Sequence, residues 1–284
     1  MLSGRTIWLV TNPASGSNDE AALAVLDEAF ENAGCRIGRK LAFHQDGPPG
    51  PADLRAAGID RVAVFTGDGT INAVVTGLYG WDGAVLVLPG GTMNLLARRL
   101  HGDADAAEII ARAGAGKARR MRPQIVRSRC GDGLTGILAG PGTSWNDVRE
   151  AMREADVLGL VSSAAEAIGE STGSPKVVCR DPACGRSEGY SLIMVTPEDD
   201  ALEVDGYYAE SFADYAKQGI ALLRRNFRDG PHEWLGRHPT LRLACAEGGP
   251  MGLLIDGEPR EGAAMESFTL APCEVDLLAT ADVR

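Results

Sequence analysis

Three glycine-bearing segments in the first hundred residues combine residue types suited to holding phosphate. They are Asn12-Pro13-Ala14-Ser15-Gly16, Thr66-Gly67-Asp68-Gly69-Thr70-Ile71-Asn72 and Leu88-Pro89-Gly90-Gly91-Thr92-Met93-Asn94. Glycine lets the backbone come close to a phosphate and turn its N–H groups inward. Thr70 and Thr92 fall where helical patterns begin, and the free amides and positive dipole end of a helix start favour anions. Asp68 adds a carboxylate, which repels bare phosphate but can hold Mg²⁺ or take a proton. Alone, each segment reads equally well as a glycine turn with a capping threonine. Together they need a scaffold that brings them to one place.

The elements between them supply that scaffold. Each segment follows an apolar run that reads as a buried strand: Thr6–Thr11, Arg61–Thr66 and residues 84–88. Helical spacing is expected over 19–33, 70–79 and 93–100, with a further strand over 36–43. Strands alternating with helices mean a mostly parallel sheet with both faces covered, and such sheets bind ligands beyond their carboxyl ends. Near residue 116 the pattern changes. Strands are expected over 119–128 and 134–139, joined by a hairpin turn at Gly131-Asp132-Gly133. More follow over 175–180, 189–196, 240–246, 251–256 and 266–280, with helices over 144–170 and 210–226. The expected fold is an N-terminal α/β nucleotide-binding domain, residues 1–116, and a C-terminal β-sandwich-like domain, residues 117–284. The last strand is able to return to the first domain.

Composition limits what this scaffold serves. The 284 residues carry 28 Lys+Arg against 39 Asp+Glu, a formal charge of −11, with 44% hydrophobic residues and 36 glycines. That is a folded globular chain, and its acidity argues against nucleic-acid binding. One stretch departs from the average: residues 112–129 hold Arg112, Lys117, Arg119, Arg120, Arg122, Arg127 and Arg129 and no acid. It reads either as a solvated strand and loop or as a patch for a polyanion or an anionic membrane. The six cysteines are dispersed without a CxxC pair, which fits free thiols in a cytoplasmic protein. The opening MLSGRTIWLV is too short in its apolar part for a signal peptide, and no run reaches a membrane span. Two look-alikes carry nothing. Gly131–Gly136 fits GxGxxG by letter without a following helix, and His232 and His238 read as surface residues of a Pro/Gly-rich loop.

NPASG, TGDGTIN and LPGGTMN, in this order, resemble the nucleotide loops of the diacylglycerol kinase catalytic-domain family, which includes soluble bacterial lipid kinases and sphingosine kinases. GDGT alone is shared with NAD kinases and phosphofructokinases; the combination is specific. Asp256-Gly257-Glu258 matches the family's late DGE motif. The resemblance implies a diacylglycerol kinase-like α/β domain (shared with NAD kinases) followed by a β-sandwich, with the active site in the cleft between them. It implies a lipid kinase using ATP and Mg²⁺, moving the γ-phosphoryl group to a hydroxyl of diacylglycerol or a related lipid. By position, Asn12, Ser15, Gly16, Thr66, Gly67, Asp68, Gly69, Thr70, Ile71, Asn72, Gly91, Thr92 and Asn94 would bind the nucleotide. Asp68 would be catalytic or metal-binding and Glu258 the general base. As a base, Glu258 would need burial or a neighbouring carboxylate such as Asp256 to raise its pKa. Pro197–Leu202 loosely matches a loop whose aspartate binds structural Mg²⁺, which would make Asp200 a ligand.

Two departures stand against this. Residues 118–126 lack the family's second-domain aspartate, and LAGPGTSWND replaces an Asn-rich glycine motif, with Asp147 as substitute. The alternatives are a kinase of a soluble acceptor such as NAD and a nucleotide-binding protein without catalysis. A lipid acceptor implies peripheral contact with a membrane, through the 112–129 stretch or the amphipathic 210–228 region. A homodimer remains open.

Overall fold

The computed structural model describes residues 2–13, 20–141, 176–207 and 232–281. Ser15, Gly16, Asp147 and the helices expected over 144–170 and 210–226 lie outside the described residues. The chain divides into two compact units, Met1–Pro123 with Pro272–Arg284, and Gln124–Ala271.

The first unit is built on a six-stranded sheet. Its strands are β1 (Thr6–Thr11), β2 (Arg36–Ala42), β3 (Arg61–Thr66), β4 (Ala84–Pro89), β5 (Arg119–Met121) and β17 (Asp276–Ala279), ordered β2-β1-β3-β4-β17-β5. All neighbours are parallel except β17 and β5. β3 is buried along its whole length, as a strand covered on both faces must be. One face packs against α1 (Glu20–Asn32) through Leu26 and Phe30, and against α6 (Ala106–Gly114) through Ile109, Ile110 and Ala113. The helices α2 (Phe43–Asp46) and α3 (Pro51–Ala56) connect β2 to β3, while α4 (Asp68–Gly77) and α5 (Leu95–His101) follow β3 and β4. α6 was not among the expected helices. Asp105 caps it by accepting the Glu108 N–H at 2.8 Å.

The second unit is a pair of antiparallel sheets. One takes β8 (Ile137–Pro141), β10 (Leu192–Pro197), β11 (Leu202–Tyr207), β12 (His232–His238), β14 (Met251–Ile255) and β15 (Glu258–Gly262), in the order β12-β11-β10-β8-β14-β15. The other takes β6 (Gln124–Ser128), β7 (Gly131–Gly133), β9 (Val177–Asp181), β13 (Thr240–Cys245) and β16 (Met265–Pro272), in the order β7-β6-β16-β13-β9. A single apolar cluster draws Ile137, Ile193, Val204 and Leu253 from the first sheet and Val126, Leu243 and Phe268 from the second, which makes a sandwich.

Four expectations need correction. The strand expected over 119–128 breaks at Arg122-Pro123 into β5 and β6, because proline has no N–H for the ladder. The one expected over 266–280 breaks after Pro272 into β16 and β17. The hairpin turn sits at Arg129-Cys130; Gly131–Gly133 is strand, registered by the Arg127–Asp132 cross-strand pair at 2.9 Å. His232 and His238 bound a strand rather than lying in a loop. β11, β12 and β15 were not expected.

Candidate functional site

β1, β3 and β4 are adjacent, so their carboxyl ends stand side by side: Thr11 pairs with Phe65, and Phe65 with Leu88. Asn12-Pro13 and the second and third glycine segments leave the sheet there. Asn12, nearly buried, donates from Nδ2 to Thr70 Oγ1 at 3.1 Å and ties the first segment to the second. Gly67 caps α4 with extended backbone, and its carbonyl accepts the Ile71 N–H at 3.0 Å. Ile71 is wholly buried and anchors that helix to the core; Thr66 is buried as well.

The second and third segments meet backbone to backbone. A Cβ on Gly91 would stand 2.5 Å from the Gly67 Cα, and one on Gly90 would stand 2.5 Å from the Thr66 nitrogen. Any side chain there would push the loops apart, so the glycines serve close approach. The third segment then closes on itself: the Gly91 N–H donates to Asn94 Oδ1 at 2.8 Å, and Asn94 Nδ2 donates to the Gly91 carbonyl at 2.9 Å. Asn94 takes left-handed backbone (φ 52°) and caps α5. This moves the helix start from the expected Met93 to Leu95. Thr92 is exposed three residues before it, and Thr70 lies inside the first turn of α4 rather than at its cap. Asp68 ties the second segment to the start of α5, its Oδ1 accepting the Leu96 N–H at 3.3 Å. Gly69 and Asn72 flank Thr70 in the same first turns, partly exposed.

In the second unit, Asp256 and Gly257 are the two turn residues between β14 and β15, both with positive φ (46° and 87°). Such a turn matches the twist of the strands it joins and explains Asp-Gly here. The Asp256 carboxylate is buried and accepts four donors: the N–H groups of Leu134 (2.7 Å), Thr135 (2.9 Å) and Gly136 (3.3 Å), and Thr135 Oγ1 (2.6 Å). It ties the hairpin tip to the loop before β8. Glu258 is the first residue of β15, half-buried, opposite Ile255. Nothing in the sequence marked Leu134–Gly136 as its neighbours, which lie 120 to 122 residues away.

Asp200 lies on the exposed turn between β10 and β11, ion-paired with Arg237. Among the described residues, no three His, Cys, Asp or Glu side chains gather as a metal site. The 112–129 stretch does not form one basic patch. Arg112 pairs with Glu108 (2.6 Å), Arg120 and Arg122 with Asp276 (3.2 and 2.8 Å), Arg127 with Asp132, and Arg129 with Glu266 (2.6 Å). Two of these acids, Asp276 and Glu266, are distant in sequence and hold three of the five arginines. All six cysteines are free thiols, and burial pushes Cys35 up to about 11. Among the described residues, no helix is long and apolar enough to cross a membrane.

In chain order the fold is an α/β unit with a mostly parallel sheet and an antiparallel sandwich. Residues 6–124 match the family model of the diacylglycerol kinase catalytic domain. A diacylglycerol kinase structure from Bacillus anthracis str. Sterne is similar in fold, at 18% identity, covering 96% of each chain with a TM-score of 0.63. A second structure from that organism, assigned the same activity provisionally, gives 16% identity over 98% of this chain and 96% of its own, with a TM-score of 0.64. No curated protein matches the chain.

Proposed function

We propose that the protein is an ATP-dependent lipid kinase that transfers the γ-phosphoryl group to a hydroxyl of diacylglycerol or a related lipid. The observation that carries this reading is the meeting of Asn12 with two glycine segments at the carboxyl edge of one sheet, locked by Asn12–Thr70, Gly91–Gly67 and Asp68–Leu96. Phosphoryl transfer asks a protein for positioning and charge neutralisation more than for covalent chemistry. Backbone amides at the start of α4, Asp68–Thr70, and of Thr92 supply the positioning, those of Ile71 and Gly91 being taken by the Gly67 carbonyl and Asn94 Oδ1. With a single carboxylate, Asp68, in the described loops and no cluster of acids around it, Mg²⁺ is best treated as arriving with the nucleotide, part of the substrate. Asp68 would hold that Mg²⁺, because a carboxylate repels bare phosphate. Glu258 takes the proton of the acceptor hydroxyl, and Asp256 positions Glu258 by fixing the hairpin tip. The lipid acceptor places the work at a membrane surface, from the cytoplasmic side.

The test is transfer of labelled phosphate from ATP to diacylglycerol in mixed micelles, with NAD as the soluble competitor, read by thin-layer chromatography. Wild type labels the lipid and not NAD, and Asp68→Ala and Glu258→Ala lose labelling with unchanged circular dichroism. Full labelling by both variants overturns the mechanism. Labelling of NAD alone overturns the acceptor.

A further inference from the structure

The carboxyl ends of the first unit's strands carry the glycine loops; their amino ends carry a cluster of guanidinium groups. Arg61 opens β3 with its side chain only 8% exposed. One of its terminal nitrogens donates to the Asp60 carbonyl at 2.6 Å and lies 3.3 Å from the Asp60 carboxylate. Its Nε meets no hydrogen-bond partner among the described residues. Asp60 is not Arg61's alone, because Arg5 takes the same carboxylate oxygen at 2.8 Å.

Along the same edge, Arg120 and Arg122 share Asp276. Arg61 pairs with Ala84, and Ala84 with Asp276, so Arg61 and Asp276 sit on one row two strands apart, roughly 10 Å between backbones. Arg120 pairs with Leu278, two residues beyond Asp276, and so shares its face. Four guanidinium groups therefore stand against three carboxylates, Asp60, Asp276 and Glu274, in a chain that is otherwise strongly acidic. Burial pulls the Arg61 guanidinium below its ordinary value; Arg120 and Arg5 add to this, and Asp60 and Asp276 oppose it. Cations crowding a buried cation are relieved by an anion. Arg5, Asp60, Arg120 and Arg122 are between two-fifths and about half exposed, so one can enter from solvent.

We propose that Arg5, Arg61, Arg120 and Arg122 form a second anion site, at the amino end of the sheet, for one phosphate group. Guanidinium forks match phosphate oxygens in pairs, and a shared carboxylate leaves part of each fork for a ligand. The six residues of β3 put this site about 17 Å from the glycine loops. It is independent of the function proposed above. The phosphate belongs either to a free phosphorylated solute or to an anionic lipid headgroup, which share this chemistry.

Calorimetric titration of inorganic phosphate into the full chain at fixed ionic strength tests it. Wild type binds phosphate saturably. Arg5→Gln and Arg120→Gln weaken binding at least tenfold, while Arg260→Gln, an exposed arginine of the second unit, changes it less than twofold. These surface variants carry the test even where Arg61→Met unfolds the chain. Absence of saturable binding by wild type, or binding unmoved in Arg5→Gln and Arg120→Gln, overturns the site. So does loss in Asn12→Ala alone, which relocates the phosphate to the glycine loops. Cosedimentation with phosphatidylglycerol against phosphatidylcholine vesicles then separates the sources. Retention on phosphatidylglycerol that the same arginine variants abolish assigns a lipid headgroup; no retention, with phosphate binding intact, assigns a free phosphate.

Discussion

Gly91 lies so close to Gly67 that a Cβ on Gly91 would stand 2.5 Å from the Gly67 Cα. Two loops that leave neighbouring strands are thereby joined through backbone, with no side chain between them. A loop pair held this way cannot open without moving β3 and β4. The N–H groups it presents are fixed before any ligand arrives, and preorganised donors cost nothing to orient on binding.

Gly91→Ala therefore forces a backbone shift, because the obstructing atom is main chain and not a flexible side-chain end. The expected cost is about 1–3 kcal/mol in urea unfolding, with nucleotide affinity reduced at least tenfold by calorimetry. Gly77→Ala, in α4 with nothing within 4 Å of the added methyl, is the contrast. It is expected to leave nucleotide affinity unchanged and to stabilise the chain by roughly 0.5–1 kcal/mol. Equal stability of wild type and Gly91→Ala would show that the loops separate freely.

How far the sequence discloses this differs from element to element. β3 and β4 are legible because a strand covered on both faces is a continuous apolar run, and the glycine segments follow them directly. α6 is announced by Asp105 and Glu108 in capping spacing, but the glycines that follow it obscure the helical pattern. β15 is Glu-Pro-Arg-Glu-Gly, with no apolar alternation; it is a strand because the two-residue turn at Asp256-Gly257 folds it onto β14. Nor could local pattern show that Arg120 and Arg122 meet Asp276, more than 150 residues on. The residue types at the candidate site were legible, but the tertiary partners that fix them were not. Asp68 was singled out for its charge; that it bonds the Leu96 amide follows only from where α5 begins.

That bond separates two roles of Asp68. Asp68→Asn keeps a side-chain oxygen for the Leu96 N–H but loses the charge, whereas Asp68→Ala loses both. Unfolding free energy is expected to fall by about 1 kcal/mol in Asp68→Ala and by less than half that in Asp68→Asn. Phosphoryl transfer, if the proposed function holds, is lost in both. An active Asp68→Asn would reduce Asp68 to a tether to the start of α5.

The Asp256 carboxylate accepts four donors from the loop before β8. Asp256→Ala removes the acceptor of four donors and leaves the Leu134–Gly136 amides without it, in a left-handed position alanine disfavours. A loss of about 3 kcal/mol is expected in chemical denaturation. Asp256→Asn tolerates the backbone but turns an amide N–H₂ toward a backbone donor, so an intermediate loss is expected. Amide hydrogen exchange at Leu134 and Thr135 should quicken in both. Unchanged exchange there would mean that the loop before β8 holds without the aspartate.

His101, at the end of α5, gives the fold a pH dependence of known sign. Its ring is buried, with Nδ1 accepting the Thr280 N–H at 3.3 Å and meeting Thr280 Oγ1 at 2.9 Å. Burial lowers its pKa from 6.5 to about 4; the Val87 carbonyl opposes this and the Arg112 cation adds to it. The unfolded chain thus binds a proton between pH 6.5 and about 4 that the folded chain refuses. The stability from neutral His101 is fully present above pH 6.5, falls as the pH drops through that window, and is gone below about 4. A shift of this size corresponds to about 3 kcal/mol at full extent. Carboxylates titrate in the lower part of the same range, so the measurement is the difference between wild type and His101→Gln in urea unfolding at pH 7.5, 6, 5 and 4.5. The wild type should lose stability over these steps faster than the variant. Parallel curves would place the titration of His101 outside the window.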